Sequence, residues 1–319
     1  MPRRMRIVFC GTPRFAVPTL QHLLDQPDFE IIAVITQPDR PRGRGQEVTF
    51  SPVKRTALEA KLPVHQLEKI RAPEVQELLH TLAPDVIVII AYGQIIPARL
   101  LPIPKLGWIN LHASLLPKYR GAAPINWAIV NGETRTGVTT MRIDAGMDTG
   151  EMLLQREIAV GPRETAPELT ERLAELGAPL MAETLRGLAT GTIVPRAQDH
   201  SAATHAPILK KEDGLINWAL ASEKVFNRMR GFAPWPGAYT TFRGEICHLT
   251  GEPVSGETRK ERPGSLIVMP KPETQLLVVC GGETVLRLES VKREGREEIS
   301  ASEFANGARI KLGERFGDS

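Results

Sequence analysis

Asn110 and His112 stand two residues apart in the run 107–121, Gly-Trp-Ile-Asn-Leu-His-Ala-Ser-Leu-Leu-Pro-Lys-Tyr-Arg-Gly. Both residue types can meet a developing negative charge: an asparagine amide donates to an oxyanion, and a histidine protonates it or donates to it. Farther along, Asp144-Ala-Gly-Met-Asp148-Thr-Gly150 supplies a carboxylate, Asp148, that can orient such a histidine or take a proton through water. Together the three suit attack of an amine on an electrophilic carbonyl. An isolated Asn-x-His fits a structural loop histidine equally well, so spacing alone leaves both readings open. No serine or cysteine occupies a nucleophile elbow, so a covalent acyl-enzyme route has little support. The seven histidines, His22, His65, His80, His112, His200, His205 and His248, include no i, i+4 helical pair, and no metal is expected.

The elements that must position these groups follow from periodicity. In a strand, Asn110 and His112 fall on one face. Ser114, Pro117 and Gly121 then break the strand before an apolar, helix-like run over 122–130. A strand end, a polar pair, a turn and a helix start form the place where a parallel sheet usually builds its site. Apolar runs with β-branched content recur at 6–10, 30–36, 85–91 and 108–111, separated by segments of helical spacing. The alternation predicts an α/β fold with a doubly wound, mostly parallel sheet, Rossmann-like in layout. The first turn, Gly11-Thr-Pro13-Arg-Phe15, lacks the three glycines of a dinucleotide fingerprint, which removes the main support for NAD. Strand character returns at 137–143 and 151–160. Thr165 and Glu168 resemble a capping box before a helix whose stripe is Leu169, Leu173, Leu176, Leu180 and Leu185.

A composition shift near Gly191 predicts a linker over 191–208. Beyond it lie a helix-like stretch, 222–230, and short alternating runs at 239–242, 246–249, 265–269, 276–280 and 285–291, which predict a small OB-like β-barrel. The expected organisation is a catalytic domain over 1–190, the linker, and a C-terminal domain over 209–319. Inside the first domain, 37–52 is a long connection rich in Pro, Gly and Arg. A solvated loop is the ordinary reading of such a run, yet alternating Arg40, Arg42 and Arg44 on a glycine-spaced backbone could follow a phosphate backbone.

A net charge of +3 over 319 residues makes no global polycation, so nucleic-acid binding would depend on local patches. Cys10, Cys247 and Cys280 form an odd, widely spaced set, which argues against a disulfide framework and for a reduced cytoplasmic setting. The basic start reads as a first strand and not as a targeting segment, since its apolar core ends at Gly11. No apolar run approaches the ~20 residues that span a bilayer. All apolar stripes are assigned to the core, so a monomer is expected.

Asn110-Leu-His112, Ser114-Leu-Leu-Pro117, Tyr119-Arg-Gly-Ala-Ala-Pro124 and Asp148 in its Asp-Ala-Gly-Met-Asp-Thr-Gly loop resemble, in order and spacing, the formyl-tetrahydrofolate-dependent formyltransferases. Gly11-Thr-Pro13, Gln37-Pro-Asp-Arg-Pro-Arg-Gly-Arg-Gly45, Ser51-Pro-Val-Lys54, Ala91-Tyr-Gly93 and Pro234-Trp-Pro-Gly-Ala238 extend the resemblance over almost the whole chain. They point to the branch whose acceptor is the α-amino group of methionine esterified to initiator tRNA. The resemblance implies 10-formyltetrahydrofolate as formyl donor and a tetrahedral oxyanion intermediate. It implies that Asn110 holds the formyl oxygen, that His112 stabilises or protonates the intermediate, and that Asp148 tunes His112. It further implies a folate site from Ser114, Leu115, Leu116 and Pro117, with the pterin held near Tyr92, Gly93 and Asp144, and entry of the acceptor end at Arg40, Arg42 and Arg44. Two other functions remain open to the residues themselves: an amino-sugar nucleotide formyltransferase, and a non-catalytic RNA-binding module.

Overall fold

The computed structural model describes residues 3–42, 47–269 and 274–317. The chain begins β1 (Met5–Gly11), α1 (Val17–Leu24), β2 (Phe29–Thr36), then β3 (Pro41–Arg42) and β4 (Glu47–Val48), which pair as a small antiparallel hairpin. It continues through α2 (Pro52–Glu59), β5 (Val64–Gln66), α3 (Pro73–Leu82), β6 (Val86–Ile90) and β7 (Trp108–His112). Next come β8 (Arg120–Gly121), α4 (Pro124–Val130), β9 (Arg135–Arg142), β10 (Met152–Ala159), α5 (Ala166–Thr190) and β11 (His205–Ala206).

Seven strands form one sheet in the order β10-β9-β7-β6-β1-β2-β5. The pairs β1·β2, β1·β6, β2·β5 and β6·β7 are parallel, whereas β7·β9 and β9·β10 are antiparallel. The doubly wound expectation is therefore met in a mixed form. β6, Val-Ile-Val-Ile-Ile, is buried along its whole length, which is why it reads as a continuous apolar run without alternation. Strand order reverses between β1 and β6, the switch point beside which such sheets open a crevice. Local signals start the helices. Ser51 Oγ accepts from the Lys54 N–H at 3.1 Å and Pro52 opens α2, while Glu168 accepts from the Thr165 N–H at 2.8 Å ahead of α5.

The remaining elements are α6 (Ser222–Gly231), β12 (Tyr239–Phe242), β13 (Glu245–Pro253), β14 (Leu266–Met269), β15 (Gln275–Val279), β16 (Val285–Arg293), β17 (Glu298–Ser300) and α7 (Ala301–Ala308). Where a small OB-like β-barrel is expected, the six strands make an antiparallel sheet in the order β12-β13-β16-β15-β14 with β17 on β16. Its core gathers Trp218, Phe242, Phe304 and Phe316, and Trp218 stacks on Phe316 with ring centroids 5.7 Å apart. The Trp218 Nε1–H donates to Thr240 Oγ1 at 3.1 Å, so the buried indole is satisfied.

The chain divides into two compact units, and the division is not a single cut. Unit 1 comprises Met1–Pro124, Arg135–Ala159 and Leu169–Pro207, and unit 2 comprises Ile125–Thr134, Val160–Glu168 and Ile208–Ser319. Two sequence expectations differ here. Most of α4 falls in unit 2, where Trp127 meets the ring of Phe232 edge-on at 5.5 Å and Asn126 Nδ2 donates to Gly231 O at 2.8 Å. The segment expected as a linker belongs to unit 1 as far as Pro207. Arg196 and Met152 exchange two main-chain hydrogen bonds of 2.8 Å, and β11 pairs in parallel with β8. Its prolines, Pro195 and Pro207, and its small residues signal irregular backbone, and irregular backbone can still satisfy its polar groups by pairing with an edge.

Candidate active site

β7 lies between β6 and β9, with Asn110 opposite Ile89 on one side and Met141 on the other. The fold sorts its side chains by face. Leu111 packs toward α5, close enough that a Cβ on Gly177 would stand 2.4 Å from its Cδ2, and pleating turns Asn110 and His112 to the opposite face. Asn110 is half-buried, and among the described residues its amide makes no hydrogen bond. It is an uncommitted donor in the middle of a strand paired on both sides.

His112 is buried, with Nε2 2.9 Å from the Tyr119 carbonyl. A carbonyl only accepts, so Nε2 carries the proton. Nδ1 faces Asp148 Oδ2 at 3.7 Å, too long for a hydrogen bond and within ion-pair range. Asp148 adopts the left-handed backbone region with φ 53°, and its Oδ2 accepts from the Gly121 N–H at 2.8 Å. The three residues singled out by type and spacing are thus brought to one place, from β7 and from the loop after β9.

The other candidate positions are distributed around this trio. Ser114 is fully buried and its hydroxyl donates to Lys118 O at 2.6 Å, closing the turn after β7. Leu116 is buried; its N–H donates to Thr139 Oγ1 at 3.1 Å and its carbonyl accepts from Gln155 Nε2 at 2.9 Å. Leu115 and Pro117 remain half-buried. The Tyr92 side chain lies in the core with its hydroxyl unpartnered among the described residues, and burial pushes its pKa up. The Tyr92 carbonyl accepts from Gln37 Nε2 at 2.9 Å. Gly93 takes φ 85° in the turn after β6. The Asp144 carboxylate accepts from Gly146 N–H at 3.0 Å and from Thr149 Oγ1 at 2.7 Å, so it closes its own loop. Exposed apolar side chains stand on the loops after both neighbours of β7, Ile95 after β6 and Met147 after β9.

A cavity of about 600 Å³ opens at the switch point, lined by Thr12, Gln37, Asp39, Arg40, Ser51 and Gly93 among others. Arg40 is exposed, Arg42 lies in β3, and Arg44 falls outside the described residues. Beside the cavity, Lys54 Nζ pairs with Asp39 Oδ2, bonds Gln66 Oε1 at 2.7 Å and sits 4.0 Å from the Phe50 ring centroid. Asp39 Oδ1 is buried without a partner among the described residues.

Two site residues had no role on sequence grounds. Arg120 appears only as a letter in a motif, and Gln198 falls in the expected linker. Both are 5% exposed, and Gln198 Oε1 accepts from Arg120 Nε at 3.0 Å and Nη2 at 2.7 Å. Their pairing spans 78 residues, a separation with no local signature.

A mixed sheet with a polar trio at its carboxyl edge, followed by an antiparallel unit, is the layout of a known class. The formyl transferase model matches residues 5–185 and the formyl transferase C-terminal domain model matches residues 208–309, so the chain belongs to the formyl transferase family. Within it, the chain is 54% identical over 315 residues to the methionyl-tRNA formyltransferase of Solibacter usitatus, covering 98% of this chain and 99% of that one. It is 49% identical over 315 residues to the methionyl-tRNA formyltransferase of Geobacter sulfurreducens, covering 99% and 98%. A solved N-formyltransferase from Helicobacter canadensis, in complex with folinic acid and dTDP-3-aminofucose, shares the fold with a TM-score of 0.61 at 18% identity, covering 89% of this chain and 98% of that one. No helix among the described residues is long and apolar enough to cross a membrane.

Proposed function

We propose that this protein transfers the formyl group of 10-formyltetrahydrofolate to the α-amino group of methionine esterified to initiator tRNA. The observation that carries the chemistry is the placement of His112, with the Tyr119 carbonyl on Nε2 and Asp148 on Nδ1, beside the uncommitted amide of Asn110. The choice of acceptor is supported by full-length relatives near 50% identity that carry that activity in their names.

The donor supplies an electrophilic formyl carbon. As the unprotonated amine attacks it and the new C–N bond forms, negative charge gathers on the formyl oxygen, where Asn110 donates and where His112 donates on exchanging one of its present partners for the substrate. Asp148 orients the imidazole and accepts the proton lost by the amine, directly or through water. The folate nitrogen leaves with a proton. Ile95 and Met147, exposed on loops that flank β7, give a flat ring system apolar surface to cover, and the turn 114–117 forms a firm wall for it. The cavity between β1 and β6 is the seat we assign to the aminoacyl end, and the arginines of 37–52 meet the acceptor-stem phosphates. The enzyme acts in the cytoplasm as a monomer, which light scattering tests.

The deciding experiment offers labelled 10-formyltetrahydrofolate with either methionyl initiator tRNA or an amino-sugar nucleotide. Label in N-formylmethionyl-tRNA is expected. Label only in the sugar nucleotide overturns the acceptor, and tRNA binding without transfer overturns the chemistry.

A further inference from the structure

The Asp148 carboxylate reaches His112 only if an exposed loop holds it there. The stretch 144–147 is exposed, and Asp148 itself adopts φ 53°, a backbone region less favoured for aspartate than for glycine. Its carboxylate has one firm tie, the Gly121 N–H. The Asp148 main chain is anchored elsewhere. Gln198 Nε2 donates to the Asp148 carbonyl at 2.9 Å and to the Gly150 carbonyl at 2.7 Å. These bonds define where the loop leaves the site. On its other side the same amide accepts twice from Arg120, whose Nη1 also donates to His200 Nδ1 at 3.2 Å.

All four hydrogen-bonding positions of the Gln198 amide are therefore filled, two as donor and two as acceptor. Arg120 is buried with no carboxylate in ion-pair range among the described residues, so its charge acts on Gln198 Oε1. A cation on the amide oxygen polarises the group and strengthens both N–H bonds to the loop carbonyls. Gly121, whose N–H holds the carboxylate, follows Arg120 directly and pairs with Ala206. One cation thus stands behind the main-chain and the side-chain anchorage of Asp148.

We propose that Gln198, polarised by Arg120, is a positioning residue that sets the Asp148 carboxylate against His112. The inference rests on the reading of Asp148 given above. Gln198→Glu separates positioning from stability: it keeps oxygen acceptors for Arg120 and gains an ion pair, while both donors to the loop carbonyls are lost. Its thermal midpoint should stay near wild type, the ion pair gained with Arg120 offsetting the two carbonyls left without a donor. Its kcat should fall by about tenfold to 100-fold, because small misplacements of reacting groups carry costs of that order, with KM for donor and acceptor within about twofold.

The matching measurement uses Asp148→Asn alone and with Gln198→Glu. If Gln198 acts through Asp148, the second substitution costs less than about twofold in the Asp148→Asn background, since residues that act as a unit are not additive. Full activity in Asp148→Asn overturns the reading of the site. A drop in Asp148→Asn with unchanged kcat in Gln198→Glu overturns this inference alone, as do multiplicative losses in the double variant. If Gln198→Glu does not fold, Gln198→Met, of similar volume and without the amide, is carried through the same cycle with the same expected kcat loss.

Discussion

Asn110 and His112 share a strand face but are held in opposite ways. His112 is engaged at both ring nitrogens, by the Tyr119 carbonyl and the Asp148 carboxylate, whereas the Asn110 amide is uncommitted. On the proposed mechanism an oxyanion meets in Asn110 a donor that has no bond to give up, whereas His112 must exchange one of its present partners to reach it. Removing one oxyanion donor typically costs about 3 kcal/mol, or two to three orders of magnitude in turnover. Asn110→Ala should show a kcat loss of that size with donor binding retained in equilibrium titration, and His112→Ala should show it together with a weaker dependence on Asp148. Near-normal turnover in purified Asn110→Ala would remove the residue from the chemistry. Type and spacing marked both residues, and Asp148 with them, as candidates, and the family resemblance assigned their roles. Gln198 was not marked, because a glutamine in a stretch without periodicity looks the same whether it is solvated or buried on a guanidinium.

At the scale of elements, the strap from 191 to 207 and the hairpin of β3 and β4 carry the testable content. Gly121 in β8 has φ 120°, and a Cβ there would stand 2.6 Å from the Ala206 carbonyl of β11. Gly121→Ala should destabilise the protein by about 1–3 kcal/mol in urea titrations, the range for a strained backbone position, and should lower kcat by shifting the N–H that Asp148 uses. Unchanged stability would mean that the strap yields easily. For the hairpin, Arg42→Ala should reduce the salt dependence of tRNA binding, lowering the slope of log K against log salt by about 0.7–0.9 for one lost phosphate contact, and leave folate binding alone. An unaltered slope returns 37–52 to an ordinary solvated loop. Periodicity predicted six of the seven strands of the first sheet to within a residue or two, as in 30–36 against Phe29–Thr36, and missed the three-residue β5. It had no purchase on β8 and β11, two residues each, which exist only because each is the other's partner.

At the scale of the molecule, unit 2 is assembled from three separate stretches of chain. A fragment ending at residue 207 would keep Trp127 and Asn126 but lose Phe232 and Gly231, their partners in unit 2. It should expose apolar surface, bind a hydrophobic dye and melt below the intact chain; a soluble fragment with full thermal stability would contradict the division. The cysteines offer a second measurement, Cys10 in unit 1 and the other two in unit 2. Burial pushes the Cys247 thiol up to about 11 and Cys280 to about 12, and raises Cys10 as well. Thiolate is the reactive form, so alkylation near pH 8 should be slow in the native protein and fast in urea. The sign for stability follows: the folded state holds these protons longer than the unfolded chain, so their contribution is intact below the ordinary thiol value near 9 and is lost as pH rises toward 11 to 12. Rapid native alkylation at pH 8 would contradict the burial.

Residue types and their order along the chain predicted the class of fold and proposed the chemistry that the variants above test. Asn110, His112 and Asp148 are chemically specialised residues, and period-two and period-3.6 patterns place strands and helices by local rules. Only the tertiary structure decided which distant groups hold those residues in place. Arg120 and Gln198 meet across 78 positions, α4 packs with a unit that begins in earnest 80 residues later, and the supposed linker is a strap on unit 1. The physical reason is common to all three. A buried polar group must find its partner wherever the fold delivers one, and that partner leaves no periodic trace in the chain between them.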